Sequence, residues 1–273
     1  MPVVITGASG FIGRHAVAAF AQTSPQVRAF VRRPEAAGEL RGLGAKVAVG
    51  DITDIDQLTT VMSGAHTVCH LLPRTDQGAQ VRYLEPVVAA AVKSGVRRVL
   101  SLARLINADP EGEISERIQA WAEEPLVRSG IEWVVIRSAP IYGPGSPWLL
   151  AMAALARRHP SIVWGNGKQM LAPLFVDDVT AVLLAADERE RTSSGSWTLE
   201  GPDRVTVDEL ADILAGGRRF RLHISVRNVG RRNRLALLQA LSDHGRAEGP
   251  DAAVEFGVRL TPLTEGLRRS LPA

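Results

Sequence analysis

A doubly wound α/β fold, with a parallel sheet, helices on both faces and a smaller lobe after it, is what this 273-residue sequence predicts. Three observations predict it. Short apolar runs alternate six times with helical stretches up to Arg137, a rhythm that calls for parallel strands joined by helical crossovers. The first run, Val3-Val4-Ile5, ends in a turn whose glycines, Gly7, Gly10 and Gly13, stand three apart, and a helical pattern starts at once at Phe11 and Ile12. Beyond Tyr142-Gly-Pro-Gly145 the alternation gives way to irregular pieces. The expected division is 1–142 for the sheet domain and 143–273 for a smaller C-terminal lobe, interleaved in a single structural unit.

The elements follow in order. Strand one leads into a helix from Phe11 to about Ala21, with Val17 and Phe20 inward, broken by Ser24-Pro25. Strand two is Val27–Val31 and ends in Arg32-Arg33-Pro34. Strand three, Lys46–Gly50, enters Asp51-Ile-Thr-Asp54, where Thr53 or Asp54 caps a helix with Ile55, Leu58 and Val61 inward. Strand four, Thr67–Leu72, stops at Pro73, and a long helix over 77–93 closes at Ser94-Gly95. Strand five is Arg98–Leu102, a charged helix spans 114–128 with Pro125 as its kink candidate, and strand six is Ile131–Arg137. The lobe is expected to hold helices at 147–158, 176–187, 206–215, 231–243 and 263–270, and strands at Ile162–Trp164 and Ser196–Leu199.

Composition removes several function classes. Hydrophobic residues make up 45% of the chain, ample for a core. No apolar run reaches the ~18 residues of a membrane span, so no membrane partner is expected. A leader peptide is not expected either, because the chain opens on its first strand. Cys69 is the only cysteine, which excludes an internal disulfide and a cysteine-held zinc. No metal site is predicted, and a reducing cytoplasm is the expected compartment. The pI is near 9.5, yet the net charge is only +3, so no nucleic-acid partner is expected. The densest arginine group, Arg227, Arg231, Arg232 and Arg234, reads as a solvated face, with a partner surface as the alternative.

Strand, glycine turn and helix in succession are the setting of a dinucleotide fingerprint. Gly7 permits the tight turn, Gly10 lets a pyrophosphate approach the backbone, and Gly13 lets helix and strand pack closely. With Ser9, Phe11 and Ile12 they form the predicted cradle, facing the positive end of the helix. An acidic residue about twenty positions after the glycines binds the ribose 2′-OH of NAD, whereas arginine favours the 2′-phosphate of NADP. Here Val31 stands at the acidic position and Arg32 and Arg33 follow. NADP(H) is therefore expected in preference to NAD(H). Ligands of such sheets bind at the carboxyl ends of the strands, with the lobe closing over them. Candidates for contact with a small-molecule substrate there are Arg74, Arg104 and Tyr142. His70 lies within a strand and reads as a cofactor-wall or core residue, and Trp148 and Trp164 as core or pocket lining.

Several stretches together resemble the extended and atypical short-chain dehydrogenase/reductases, most closely their NAD(P)H-binding, NmrA-like and epimerase-like branch, nearly end to end. Thr6-Gly-Ala-Ser-Gly-Phe-Ile-Gly13 is similar to the family's opening motif, and Gly50-Asp51-Ile52 to the turn whose aspartate meets the adenine amino group. His70-Leu71-Leu72, before Pro73, resembles the segment packing along the cofactor. Arg137-Ser-Ala-Pro-Ile-Tyr-Gly-Pro-Gly145, with Ala139 and Pro140, resembles the stretch flanking the nicotinamide. Leu174-Phe-Val-Asp-Asp-Val179 and Trp197-Thr-Leu-Glu-Gly-Pro202 resemble its C-terminal landmarks. The resemblance implies a Rossmann-type fold, and family members often pair through the helices at 77–93 and 114–128, so a homodimer is an expectation.

The resemblance also implies a Tyr-x-x-x-Lys pair on the helix before strand six, tyrosine passing the proton and lysine lowering its pKa. Counting back from Ser129-Gly-Ile-Glu-Trp133 puts that pair at Ser115 and Gln119, which can do neither. The only tyrosines are Tyr83 and Tyr142, followed four positions on by Val87 and Ser146. The assisting serine falls near Ala103, with Ser101 two positions earlier. The expected function is an NADP(H)-dependent oxidoreductase of a small organic substrate that lacks this pair, its catalytic residues unassigned. The alternatives are a non-catalytic NADP(H)-binding redox sensor or regulator and a non-redox isomerase or cyclase. Nucleotide-sugar epimerisation fits less well, because it needs the missing base.

Overall fold

The structure, a computed structural model, describes residues 1–24, 26–71, 77–104, 122–217, 220–224 and 249–271; the side chains of 77–81, 104 and 164 lie outside that description. In chain order the first half runs β1 Val3–Thr6, α1 Phe11–Thr23, β2 Val27–Val31, α2 Ala37–Gly42, β3 Lys46–Val49, α3 Ile55–Met62, β4 Thr67–His70, α4 Gln77–Lys93, β5 Arg98–Arg104, a helix α5 described over 122–129, and β6 Glu132–Ser138. The second half runs β7 Ile141–Tyr142, α6 Pro147–Ala156, β8 Ser161–Trp164, β9 Met170–Leu171, β10 Leu174–Phe175, α7 Val176–Glu188, β11 Gly195–Leu199, β12 Val205–Thr206, α8 Val207–Ala215, β13 Arg221–Ile224, α9 Ala252–Phe256 and α10 Leu263–Ser270. The expected helix over 231–243, the arginine group at 227–234 and most of the expected helix over 114–128 lie outside the described residues.

Seven strands form one parallel sheet in the order β11-β6-β5-β4-β1-β2-β3. The direction of winding reverses between β1 and β4, which opens a crevice beyond their carboxyl ends. Alternate residues of each strand feed opposite cores. Ile5, Cys69, Leu100, Val134 and Ile136 pack with α1, α7 and α9, while Val4, Val68, Val99 and Val135 pack with α3, α4 and α5. A third cluster around Leu149, Leu171, Phe175, Leu210 and Leu263 makes the lobe.

Asp54, rather than Thr53, caps α3, accepting from the amides of Asp56 and Gln57. The short α2 has no counterpart in the sequence reading, because six residues containing two glycines carry no periodic signal. The strand expected in the lobe at Ser196–Leu199 is β11, paired with β6 in the central sheet from Gly195↔Val134 to Leu199↔Ser138. A strand contributed from this far along the chain leaves no local pattern that says which sheet it joins.

Arg98 opens β5 and is 0% exposed. It donates to the Glu132 carboxylate (2.7 Å) and to the carbonyls of Ala186 (2.7 Å), Asp187 (2.9 Å) and Arg189 (2.9 Å). Carbonyls in the last turn of a helix have no partner within it, and this guanidinium caps α7 from the neighbouring strand. Burial pushes the Glu132 carboxyl upward, but the hydrogen bond and charge of Arg98, with Arg97, outweigh it and leave it below its ordinary value.

Candidate functional site

The glycine turn does what its spacing predicts. Gly7 has φ +73°, in the left-handed region that glycine enters without strain. A Cβ on Gly13 would stand 2.2 Å from the Gly7 carbonyl oxygen and 2.7 Å from the Ala8 Cα, so only glycine lets α1 lie this close to β1. Gly10 is the N-cap of α1, contributes no side-chain cap, and no acidic residue occupies the first turn. The positive end of the helix is therefore left for an anionic ligand.

This helix end opens into a cleft of about 910 Å³ bounded by Gly7, Ser9 and Gly10, by the segment after β2 (Arg32, Arg33, Glu35), and by Asp51, Ile52 and Thr53 after β3. That size falls within the roughly 300–1,000 Å³ of ligand clefts. The cleft brings together seven of the expected cofactor residues: Gly7, Ser9, Gly10, Arg32, Arg33, Asp51 and Ile52. The Asp51 carboxylate accepts from the Thr53 amide (2.9 Å) and hydroxyl (2.8 Å). These two donors, backbone first, together with the charge of Arg32, hold its carboxyl below the ordinary value. Asp51 is thus fixed in its anionic, acceptor form at the cleft's rim.

The other expected residues lie elsewhere. Ile12 and Gly13 pack toward the core, and Phe11 turns its ring edge-on to His15 at 5.3 Å. Leu71 is buried, its amide donating to the Thr6 carbonyl, which continues the ladder one residue beyond β4. Ser101 is buried beside His70 in the sheet register, and its Oγ has no hydrogen-bond partner among the described residues. Ala139 is buried with its amide on the Leu199 carbonyl, and the half-buried Pro140 accepts from the Leu174 amide. Leu72, Pro73, Arg74, Ser115 and Gln119 lie outside the described residues, as does the side chain of Arg104. Ala103, where the assisting serine was expected, is buried.

His70 is a core residue, hydrogen-bonded at 2.8 Å to the Thr6 hydroxyl on the adjacent strand. Trp148 packs against the lobe core. Tyr142 corrects the sequence reading. It is 0% exposed, its hydroxyl donates to the Leu263 carbonyl at 3.3 Å, and burial pushes its phenol well up. Gly266 on α10 has no Cβ, and one placed there would stand 2.1 Å from that hydroxyl. Tyr142 therefore keys the lobe together and presents no group to a substrate. Sequence reasoning missed Arg82 and Tyr83, which line the cleft from α4, and Phe30, Glu35 and Thr53. The signal for the α4 pair is faint: an arginine and a tyrosine on the first turns of a helix that leaves the same sheet edge.

The fold and this cleft define a dinucleotide-binding protein. The chain belongs to the NAD(P)H-binding family, matched over residues 7–143. It is similar to a ceramide reductase of Caulobacter vibrioides, 29% identical over 189 residues, which cover 67% of this chain and 60% of that protein. It is also similar to quinone oxidoreductase 2 of Escherichia coli, 26% identical over 261 residues, covering 90% and 88%. Its fold matches the crystal structure of triphenylmethane reductase from Citrobacter sp. complexed with NADP(H), with a TM-score of 0.79 at 20% identity over 99% of this chain and 100% of that one. The chain thus spans less than two thirds of the ceramide reductase. Among the described residues no helix is long and apolar enough to cross a membrane, and no cluster of side chains could hold a metal ion.

Proposed function

We propose that the protein is an NADPH-dependent oxidoreductase that reduces a small, electron-poor conjugated acceptor such as a quinone. The observation that supports this reading is the cleft, whose lining includes Arg32, Arg33 and Arg82; arginines after the second strand suit a 2′-phosphate better than a ribose hydroxyl. The names of the relatives above, reductases and a quinone oxidoreductase, support the reaction class. The nicotinamide, when bound, supplies hydride. The chain's own part is to cradle the pyrophosphate on the Gly10 end of α1, to take the adenine against Asp51 and Ile52, and to hold the 2′-phosphate with its guanidinium groups.

The missing tyrosine–lysine pair narrows the substrate. Hydride addition to an isolated carbonyl makes an alkoxide, which needs an acid beside it as it forms. Addition to a quinone makes a delocalised phenolate-type anion that takes its proton from water afterwards. Tyr142 is buried and Tyr83 lines the cleft beside Arg82, and neither is followed by a lysine four positions on. A chain without the tyrosine–lysine pair suits the second kind of acceptor.

The first test is a titration of NADPH and NADH by tryptophan fluorescence, followed by incubation of the NADPH complex with quinones and with simple ketones. Oxidation by quinones and not by ketones is the expected result. Tight binding with no turnover would replace this reading with the redox-sensor one. The phosphate pocket is tested by Arg32→Ala with Arg33→Ala. Each lost charge-assisted bond is worth about 1.5–3 kcal/mol, so NADPH affinity should fall at least tenfold while NADH changes less than about twofold. Equal losses for both nucleotides would refute the assignment.

A further inference from the structure

Two residues beyond Gly13, helix α1 carries His15, whose two ring nitrogens both face acceptors on the lobe side of the molecule. Nε2 stands 3.1 Å from the Pro144 carbonyl oxygen, in the loop between β7 and α6. Nδ1 stands 3.5 Å from the Asp177 carboxylate in the first turn of α7. A carbonyl and a carboxylate only accept, and a neutral imidazole has one N–H to give. Only the imidazolium donates to both. Aromatic and charged groups also lie around the ring and its partner. Phe11 presents its ring in an edge-on arrangement, and Asp177 is also paired to Arg269 of α10, whose guanidinium lies 4.5 Å over the Phe175 ring. Arg14, the neighbouring cation, is turned to Glu39 (3.3 Å) and the Ser9 carbonyl (2.9 Å). The loop is pressed close as well: a Cβ on Gly143 would stand 2.4 Å from Val176 and 3.5 Å from Phe11.

We propose that His15 is a positioning residue: as imidazolium it fastens the 143–146 loop and α7 to the dinucleotide helix, so that a proton tightens the crevice between nucleotide and lobe. His15 touches neither the cleft nor a reacting group, and it acts through the loop it holds. The Asp177 carboxylate raises the imidazole above its ordinary 6.5, against partial burial; the Pro144 carbonyl adds to the rise and Arg14 opposes it. The hydrogen bond from His15 is the largest influence holding Asp177 below its ordinary 3.8, with burial opposing it and Arg269 adding to it. The signs fix the window. A raised histidine contributes a hold that is complete below pH 6.5 and fades as pH rises through the raised value, while a lowered aspartate keeps its part until pH falls below 3.8. The fastening is therefore strongest in mildly acidic solution and loosens on the alkaline side.

The test needs no nucleotide, so its failure is separate from any failure of the proposed activity. Hydrogen exchange of the Gly143, Gly145 and Ser146 amides, corrected for intrinsic rates, is followed between about pH 6 and pH 8.5, the range in which histidines titrate. Protection in the unmodified protein should fall by roughly two- to fivefold across that range, the scale of a partly exposed ion pair. In His15→Gln, which keeps one donor and no charge, it should be flat at an intermediate level. An NMR titration of the His15 ring in Asp177→Asn, which keeps the lobe's shape, should give a lower pKa than in the unmodified protein. Loop protection that is independent of pH, or a pH dependence that survives in His15→Gln, would overturn the proposal.

Discussion

Replacing Arg98 with alanine is expected to cost about 3 kcal/mol of stability, because a fully buried guanidinium loses charge-assisted hydrogen bonds worth about 1.5–3 kcal/mol, although its partner Glu132 stays partly exposed. The loss has two parts. The Glu132 carboxylate forfeits its 2.7 Å donor, and at the end of α7 the buried Ala186 carbonyl and the part-buried carbonyls of Asp187 and Arg189 lose theirs. A group left unsatisfied in the interior costs about 1–3 kcal/mol by itself. Urea unfolding at neutral pH reads the effect directly, with the midpoint falling while the slope stays constant. Arg98→Lys should recover only a fraction, because one ammonium cannot span a carboxylate and three carbonyls in a fixed fork. A loss below about 1 kcal/mol for the alanine variant would mean that water or a neighbouring group replaces the guanidinium, contrary to its complete burial.

Gly13→Ala is expected to have the largest effect on nucleotide binding, weakening NADPH by about a hundredfold or more, a loss of roughly 3 kcal/mol. The added methyl would meet the Gly7 carbonyl oxygen at 2.2 Å and two Ala8 backbone atoms at 2.7 and 2.8 Å, none of which can rotate away. Helix α1 must then move off β1, and the amides at its start move with it, away from where the pyrophosphate sits. Overpacking of this kind also costs about 1–3 kcal/mol of stability. Gly38→Ala is the matched control: a Cβ there meets nothing within 4 Å in helix α2, so the same change should leave binding intact and raise stability slightly. Nucleotide titration and urea unfolding of the two variants side by side decide the matter. A Gly13→Ala protein that binds NADPH within threefold of the original would refute the cradle.

The parts of this site that were legible in the sequence are those whose physics is local. Gly7, Gly10 and Gly13 serve a turn and a close approach within thirteen residues, and Arg32, Arg33, Asp51 and Ile52 follow directly on strands that had been recognised. What could not be read depends on distant partners. The carbonyl acceptors of Arg98 lie 88 to 91 positions downstream, and as backbone groups they have no sequence signature. Arg82 and Tyr83 line the cleft from α4, whose position against the nucleotide turn is set by tertiary packing and not by local sequence. Tyr142 is a candidate in the sequence because it lies just beyond strand six at the crevice, whereas its ring is buried in the lobe core, with the glycine of a helix more than a hundred residues later making room for its hydroxyl.

The pairing of β11 with β6 bears on how proteins of this build can diversify. The outermost parallel strand arrives only after the lobe's first helix and strands have been made, and α7 and α9 on either side of it cover one face of the sheet. The family-matched portion, residues 7–143, is therefore not a cartridge that could be excised and joined to a foreign substrate lobe. Cut away, it would present a bare strand edge and an uncovered apolar face, both invitations to aggregate. New specificities on such a frame have to come from rebuilding segments within the lobe, such as the stretch between β7 and β10, while the strand that closes the sheet stays in place.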